Sequence, residues 1–481
     1  MTTIELAPTA SHSHAHSADG RSGDLEQDGV STAEATAFDD IPPNGGYGWI
    51  CTLCTFMIIV HTWGINAAWG VILAYFLSHS TFPGASRIEY ALIGGLAISQ
   101  ALLMGPIVAE SRRKLGTTIT LLIGTIVVFG SLMAASYSTK IWHLFLSQGI
   151  CFGIGMGFLY LTAMNILPTW FSTRRSFATG IAGAGSGIGG VVYSLATGHA
   201  IETQGVREAY RILAYCSLAA NLLSSLLLKS RDTPPRLGQE RKRNIDYRDL
   251  GKPEVLLVIL WGITTDLGYI ALIYSLPNYA SSIGLSPQQG SVTGAILNLG
   301  LTLGRPLTGY LSDRLGRITV PMVLTGLCGL LCFAIWIPAK SYAVLLLFAL
   351  TAGMVCGTFW GTITPVLAEV VGMSRMASVF SVICLALVGP TTVAEPIALS
   401  LVSGGSKYLH TQVYVGCLFL VGSVGAWFLR SWKFYEVEKK AADEHQRSSL
   451  RGCSNMRDSR VLLMCVTDDR ANLKDFSSGS E

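Results

Sequence analysis

Apolar runs separated by short polar interruptions recur from residue 50 to residue 432. A helix needs about 20 apolar residues to cross the hydrocarbon core of a bilayer. Stretches of that length fall at roughly 50–77, 89–110, 116–137, 142–167, 176–200 and 209–229, and again at 254–279, 289–311, 317–338, 341–369, 376–403 and 411–432. Lipid offers the backbone no hydrogen-bond partners, so spans of this kind must be helical. The pattern therefore predicts an all-α membrane protein with twelve transmembrane helices.

The longest internal polar stretch, Lys229 to Pro253, is dense in charge and proline and separates six spans from six. It reads as a linker, not a further domain. Residues 44–229 are expected to form an N-terminal six-helix bundle, 230–253 a cytoplasmic linker loop, and 254–436 a C-terminal six-helix bundle. Residues 1–43 and 437–481 are mostly polar and are expected to be disordered cytoplasmic tails. Their His12, His14 and His16 read as part of a solvated tail before a metal site, and Cys453 and Cys465 as possible but undemanded sites of acylation.

A short repeat supports two related halves. After its second helix each half carries a loop ending in basic-x-Gly: Lys114-Leu-Gly116, closing Gly105–Gly116, and Arg314-Leu-Gly316, within GYLSDRLGR at 309–317. Basic residues crowd one set of loops, with sixteen at Arg112, Arg113, Lys114, Arg174, Arg175, Arg314, Arg317, Arg375 and eight positions from Lys229 to Lys252. The other set holds six: Arg87, Lys140, Arg207, Arg211, Lys340 and Lys407. Basic loops stay in the cytoplasm, so both termini are expected there, in a plasma membrane.

Composition narrows the function. Only 13% of residues are charged, against roughly 25% in soluble domains. A formal charge of +4 is too small to imply nucleic acid. Most of the eleven cysteines lie within apolar runs, where they act as small hydrophobes; Cys51 and Cys54 form a C-x-x-C with no second pair or histidine nearby. No G-x-x-x-x-G-K-[ST], H-E-x-x-H or G-x-S-x-G occurs, so neither ATP-driven pumping nor enzymatic hydrolysis has a motif to stand on, and no cofactor is expected. Gly185-Ser-Gly187-Ile-Gly-Gly190 fits a dinucleotide fingerprint by letter, but it lies in a helical pattern. There Gly183/Gly187 and Gly185/Gly189 make overlapping G-x-x-x-G pairs suited to close helix contact, as do Gly149, Gly153 and Gly157.

Ionisable groups inside the spans are costly and need a partner or a watery cavity. Asp266 lies in the seventh, Arg305 in the eighth before Pro306, and Glu395 in the eleventh before Pro396. The fork of donors on Arg305 fits a carboxylate in two hydrogen bonds; the alternative is that it neutralises Asp266 or joins a latch around Asp313. Asp266 and Glu395 are candidate carriers of a coupling proton, or structural hydrogen-bonded acids. Other polar positions suited to a central cavity are His61, Asn66, Gln100, Gln148, Asn165, Asn278 and Asn298, with Trp69, Tyr269, Phe359 and Trp360 as walls. Asn66 and Trp69 stand out among them.

The segment GYLSDRLGR resembles the G-x-x-x-D-R-x-G-R signature of the major facilitator superfamily. That resemblance implies a fold of two pseudo-symmetric six-helix bundles that rock about a central site. Asp313, Arg314 and Arg317, with Arg112 and Arg113 in the other half, would then serve as gating residues at a turn that Gly316 permits. Asn44-Gly-Gly-Tyr-Gly-Trp49 resembles the opening motif of monocarboxylate transporters, [D/E]-G-[G/S]-[W/F]-[G/A]-W, and residues 170–185, WFSTRRSFATGIAGAG, resemble their fifth-helix motif. The phrase LPNYA after the seventh helix is most like the fungal branch. By this resemblance Arg305 matches the family's eighth-helix arginine. The lysine and aspartate of proton-coupled members are absent, their places being held by Ala67 and Leu301.

Taken together, these features predict a secondary transporter moving a small organic anion, a monocarboxylate by the resemblance, by proton-driven symport. Arg305, Asn66, Trp69 and Asn298 are the candidate substrate contacts and Asp266 and Glu395 the proton candidates. Its partners are the anion, protons and the lipid bilayer, with no obligatory protein partner. The competing readings are an efflux transporter for a metabolite of a biosynthetic pathway and a non-transporting membrane sensor of the same fold.

Overall fold

A computed structural model of the protein describes residues 42–79, 81–82, 84–231, 251–402 and 408–454. The tail histidines, Cys465, Lys407 and nearly all of the linker lie outside the described residues. All twelve expected spans are helices. In the first half they are α1 (Tyr47–Phe76), α2 (Arg87–Leu103 continuing as Gly105–Leu115), α3 (Thr117–Ser136), α4 (Ile141–Trp170), α5 (Arg175–Gln204) and α6 (Val206–Leu227). In the second they are α7 (Pro253–Ser282), α8 (Pro287–Leu315), α9 (Thr319–Trp336), α10 (Tyr342–Val370), α11 (Met373–Ser400) and α12 (Leu409–Ser454).

The duplicated plan is visible in α2 and α8, which hold the same place in the two halves. Each opens with a capping box, Ser86 with Glu89 and Ser286 with Gln289, in which the serine hydroxyl and the longer side chain satisfy each other's backbone N–H. Each stops at a glycine with positive φ, 83° at Gly116 and 116° at Gly316. α2 also bends by 45° at Met104.

Among the described residues, nine helices are long and apolar enough to cross a membrane, and the bent α2 makes a tenth. The two long helices that fall short, α5 and α8, are rich in glycine and polar residues, and they pack on each other more extensively than any other pair. A methyl group on Gly180 would lie 2.3 Å from the Arg305 carbonyl oxygen, and one on Gly187 2.5 Å from that of Asn298. Glycine thus lets the two backbones touch. The other face of α5 uses Gly185 and Gly189 in the same way against Phe56 and Val60 of α1. α2 and α11 form the second seam between the halves.

Two expectations change. LPNYA lies inside α7, not after it, with Pro277 within the helix and the Tyr279 hydroxyl donating to the Ala339 carbonyl at 2.7 Å. α12 continues past residue 436 to Ser454, because no glycine or proline interrupts 426–451 and Glu436 accepts from both Lys433 (3.2 Å) and Lys440 (2.7 Å) along the helix.

Candidate functional site

A cavity of about 30 Å³ lies between the two halves. The first half contributes Ile59 and Trp63 (α1), Tyr160 and Met164 (α4), and Gly183 and Ser186 (α5); the second contributes Tyr269 (α7), Arg305 (α8) and Trp360 (α10). Local breaks in the helices aim two of these rings. A π-helical turn at Val60–Gly64 carries Trp63, and α10 is interrupted at Gly357 just before Phe359 and Trp360. Trp63 meets Tyr160 edge-on at 5.3 Å and lies 6.3 Å from Trp360.

Arg305 is 8% exposed. One terminal nitrogen, Nη1, donates to the Gly183 carbonyl and to the Ser186 hydroxyl, both at 2.7 Å and both in the other half. Its Nε is buried without a partner, and no carboxylate among the described residues forms an ion pair with it. The reason lies one turn earlier: Leu301 packs against Gly357, and the guanidinium lies over that same glycine. A buried cation held only by neutral groups is an incomplete arrangement, since charge in a low-dielectric interior calls for an opposite charge.

Asp266 is 2% exposed and does not complete it. Its Oδ1 accepts the Trp360 indole N–H at 2.8 Å, and its Oδ2 is buried with no partner. Trp360 is thus both a wall of the cavity and, among the described residues, the only hydrogen-bond donor to this acid. Glu395 is partly buried in α11, away from the cavity lining, and has no hydrogen bond or ion pair among the described residues.

Of the four residues expected to touch substrate, only Arg305 lines this cavity. Asn298 lies against Gly190, to which Ala67 is also close; Trp69 packs under Gly94 near the Tyr274 hydroxyl. Asn66 is buried with its carbonyl oxygen unpartnered. Tyr269 and Trp360 are walls as expected, whereas Trp63, Tyr160 and Ser186 were not singled out from the sequence. A much larger groove of about 560 Å³ opens on the flank of α3 and α4, lined by residues including Gly130, Trp142, His143 and Leu146. Its lining comes from the first half alone and includes no Asp, Glu, Lys or Arg.

At the end of the bundle that carries the basic loops, α5 begins without a cap of its own, because Arg174 occupies the N-cap position. Asp313 of α8 supplies it from the other half: Oδ1 accepts from the Ser176 N–H at 3.1 Å and Oδ2 from the Phe177 N–H at 2.8 Å. Arg317 pairs with Asp313 at 3.2 Å and also donates to the Ser172 carbonyl of the first half. Arg314 instead lies 4.5 Å over the Tyr310 ring, and Arg113 pairs with Glu110 of its own helix. Arg112 stands in the last turn of α2. Among the described residues no group of three or more His, Cys, Asp or Glu is placed to hold a metal.

Two helical bundles, apolar outside, that meet around a buried cation and are clasped across one end, define a membrane carrier. Comparison with known proteins places it further. The family model described as Major Facilitator Superfamily matches residues 51–389. The probable transporter MCH2 of Saccharomyces cerevisiae is 32% identical over 81% of this chain and 84% of its own length. The uncharacterized transporter ESBP6 of the same yeast is 35% identical over 84% of this chain, which spans 62% of that relative's length. The fujikurins efflux protein of Gibberella fujikuroi is 26% identical over 87% of this chain and 90% of its own. The chain belongs to the major facilitator superfamily, in its monocarboxylate-transporter-like fungal branch, and is a multi-pass membrane transporter, not an enzyme.

Proposed function

We propose that the protein is a proton-driven secondary transporter of a small organic anion, with a carboxylate bound at Arg305 in the cavity between the bundles. One observation carries this reading: Arg305 is buried at the seam of the two halves with only neutral partners among the described residues, the Gly183 carbonyl, the Ser186 hydroxyl and the Tyr269 side chain, and with Nε unpartnered. A carboxylate there supplies the missing charge and acceptor in one group. Because Arg305 reaches from α8 to α5, an anion that competes for its fork also alters a bond between the halves, which links binding to rocking.

The unpartnered Oδ2 of Asp266 supports a proton site next to the cavity, joined to it through Trp360. Asp313 and Arg317 act as the gate at the basic end; the excess of positive charge supports a cytoplasmic position for that end, with both termini inside, and the membrane is read as the plasma membrane. The efflux reading draws support from the Gibberella fujikuroi relative, an efflux protein for fujikurins.

The test is flux of labelled carboxylates into liposomes holding the purified protein under an imposed pH gradient. Uptake that Arg305→Ala removes is the expected result. Equal uptake by wild type and Arg305→Ala would overturn the role of Arg305.

A further inference from the structure

We infer that the carboxylate taken by this cavity sits on a flat, apolar body such as an aromatic ring, and is not a short hydroxy acid. The inference rests on the reading of Arg305 as the anion contact. Beyond that residue, the wall is dominated by Trp63 and Tyr160 from one half and Tyr269 and Trp360 from the other. Three of these rings already pack on one another, two of the pairs edge-on as aromatic groups prefer and the third tilted. Trp63 to Tyr160 is 5.3 Å at 76°, Tyr160 to Trp360 is 6.4 Å at 68°, and Trp63 to Trp360 is 6.3 Å at 40°.

At about 30 Å³ the cavity holds no organic solute as it stands, so binding must part the rings. A ring inserted between them replaces aromatic contacts with aromatic contacts, whereas a small polar acid leaves those faces without a neighbour.

The polar groups of the wall are few. Ser186 already receives Arg305, and the Trp360 N–H is committed to Asp266. Gly183 offers a carbonyl that Arg305 also occupies. One polar group on the wall is uncommitted: the Trp63 indole N–H is buried with no partner among the described residues and can donate to a carboxylate oxygen as readily as to a hydroxyl, so the case for an aromatic body rests on the rings. At the position where Leu301 stands, an acidic side chain would have added a polar group beside the guanidinium; leucine adds apolar surface instead.

Selectivity of this kind, arising from apolar contact, is expected to reach about tenfold to a hundredfold between well-fitting and poorly fitting acids.

The experiment compares flux of phenylacetate, lactate, propionate and the neutral phenylacetamide in liposomes containing wild type, Arg305→Ala, Trp63→Leu or Trp63→Phe. The expected result is phenylacetate carried with an apparent affinity about tenfold or more above that for lactate, no carriage of phenylacetamide, and loss of phenylacetate flux in Arg305→Ala. The phenylacetate-to-lactate ratio should fall severalfold in Trp63→Leu and recover in Trp63→Phe, a ratio that loss of folded protein alone does not move. Lactate or propionate carried as well as phenylacetate, with Arg305 still required, overturns this inference and leaves the anion reading standing. Flux indifferent to Arg305, or absent for every acid, overturns both.

Discussion

Helix α8 meets α5 in two clusters of polar contacts, around Arg305 and around Asp313, eight residues apart or about 12 Å along the helix, and the two are built in opposite ways. At Asp313 the contact is closed: each carboxylate oxygen receives a backbone N–H from the start of α5, and Arg317 balances the charge. At Arg305 it is open: one nitrogen is engaged with Gly183 and Ser186, Nε has no partner, and the nearby Asp266 keeps a bare Oδ2. Buried polar groups are almost always satisfied, so the unsatisfied ones mark where something else arrives. Polar residues at a moving seam therefore divide into clasps, which are complete without a ligand, and sites, which are not.

Emptying the open contact should produce the largest change. Arg305→Ala is expected to lower carboxylate flux in liposomes by about a hundredfold, since it removes a bidentate charged contact worth about 1.5–3 kcal/mol and the bond that ties substrate to the seam. Arg305→Lys keeps the charge without the fork and should retain a few per cent of the flux. Next comes Asp266→Asn. If Oδ2 carries the coupling proton, accumulation driven by a pH gradient should vanish while exchange of labelled for unlabelled substrate stays within about threefold of wild type. Wild-type accumulation in Asp266→Asn would return this acid to a structural role.

The sequence made the helices and their pairing legible, and the closed contact nearly so. Span positions followed from the cost of exposing backbone to lipid, and the clasp from Asp313, Arg317 and Gly316 in one short motif. What it did not reveal was the acceptor's real partner. Asp313 was expected to pair with basic side chains, yet its main partners are backbone N–H groups of Ser176 and Phe177, which no letter in the sequence displays.

The open contact was legible only at its charged centre. Arg305 is conspicuous because charge is rare in a span, but Trp63 and Tyr160 look like any apolar wall until a π-helical turn and helix packing turn them inward. Asn66, Trp69 and Asn298 were chosen by their nearness in sequence to Ala67 or by polarity, and neither property fixes which face of a helix meets the cavity.

Loosening the clasp should give a smaller effect than emptying the site. Asp313→Ala strips α5 of the N-cap that the described residues give it, a loss of about 1–2 kcal/mol, and so shifts the balance toward the form open at the basic end by about five- to thirtyfold. Ser312, fully buried and 3.4 Å from the Ser176 hydroxyl, offers the readout. Alkylation of Ser312→Cys, followed by mass spectrometry at that residue, should accelerate by the same factor in the Asp313→Ala background. An unchanged rate would mean that the clasp does not hold this end shut.

The smallest effect tests whether the clasp is supported from behind. Asn44 Oδ1 accepts the N–H groups of Ser172 (2.7 Å) and Thr173 (2.9 Å), and its own N–H donates to the Trp170 carbonyl at 3.1 Å. It thereby fixes the loop whose Ser172 carbonyl receives Arg317. Because Asn44 has a φ of 55°, alanine there would add backbone strain, and Asn44→Gly is the cleaner probe. Asn44→Gly should raise the alkylation rate of Ser312→Cys about threefold, in keeping with loss of the exposed-to-intermediate hydrogen bonds its side chain makes to Ser172 and Thr173. If the asparagine acts by positioning the Ser172 carbonyl, Asn44→Gly in an Arg317→Ala background should add almost nothing, since the acceptor no longer has a donor to meet. Additive effects in that double-mutant cycle would instead separate Asn44 from the clasp and leave it as a staple within the first half alone.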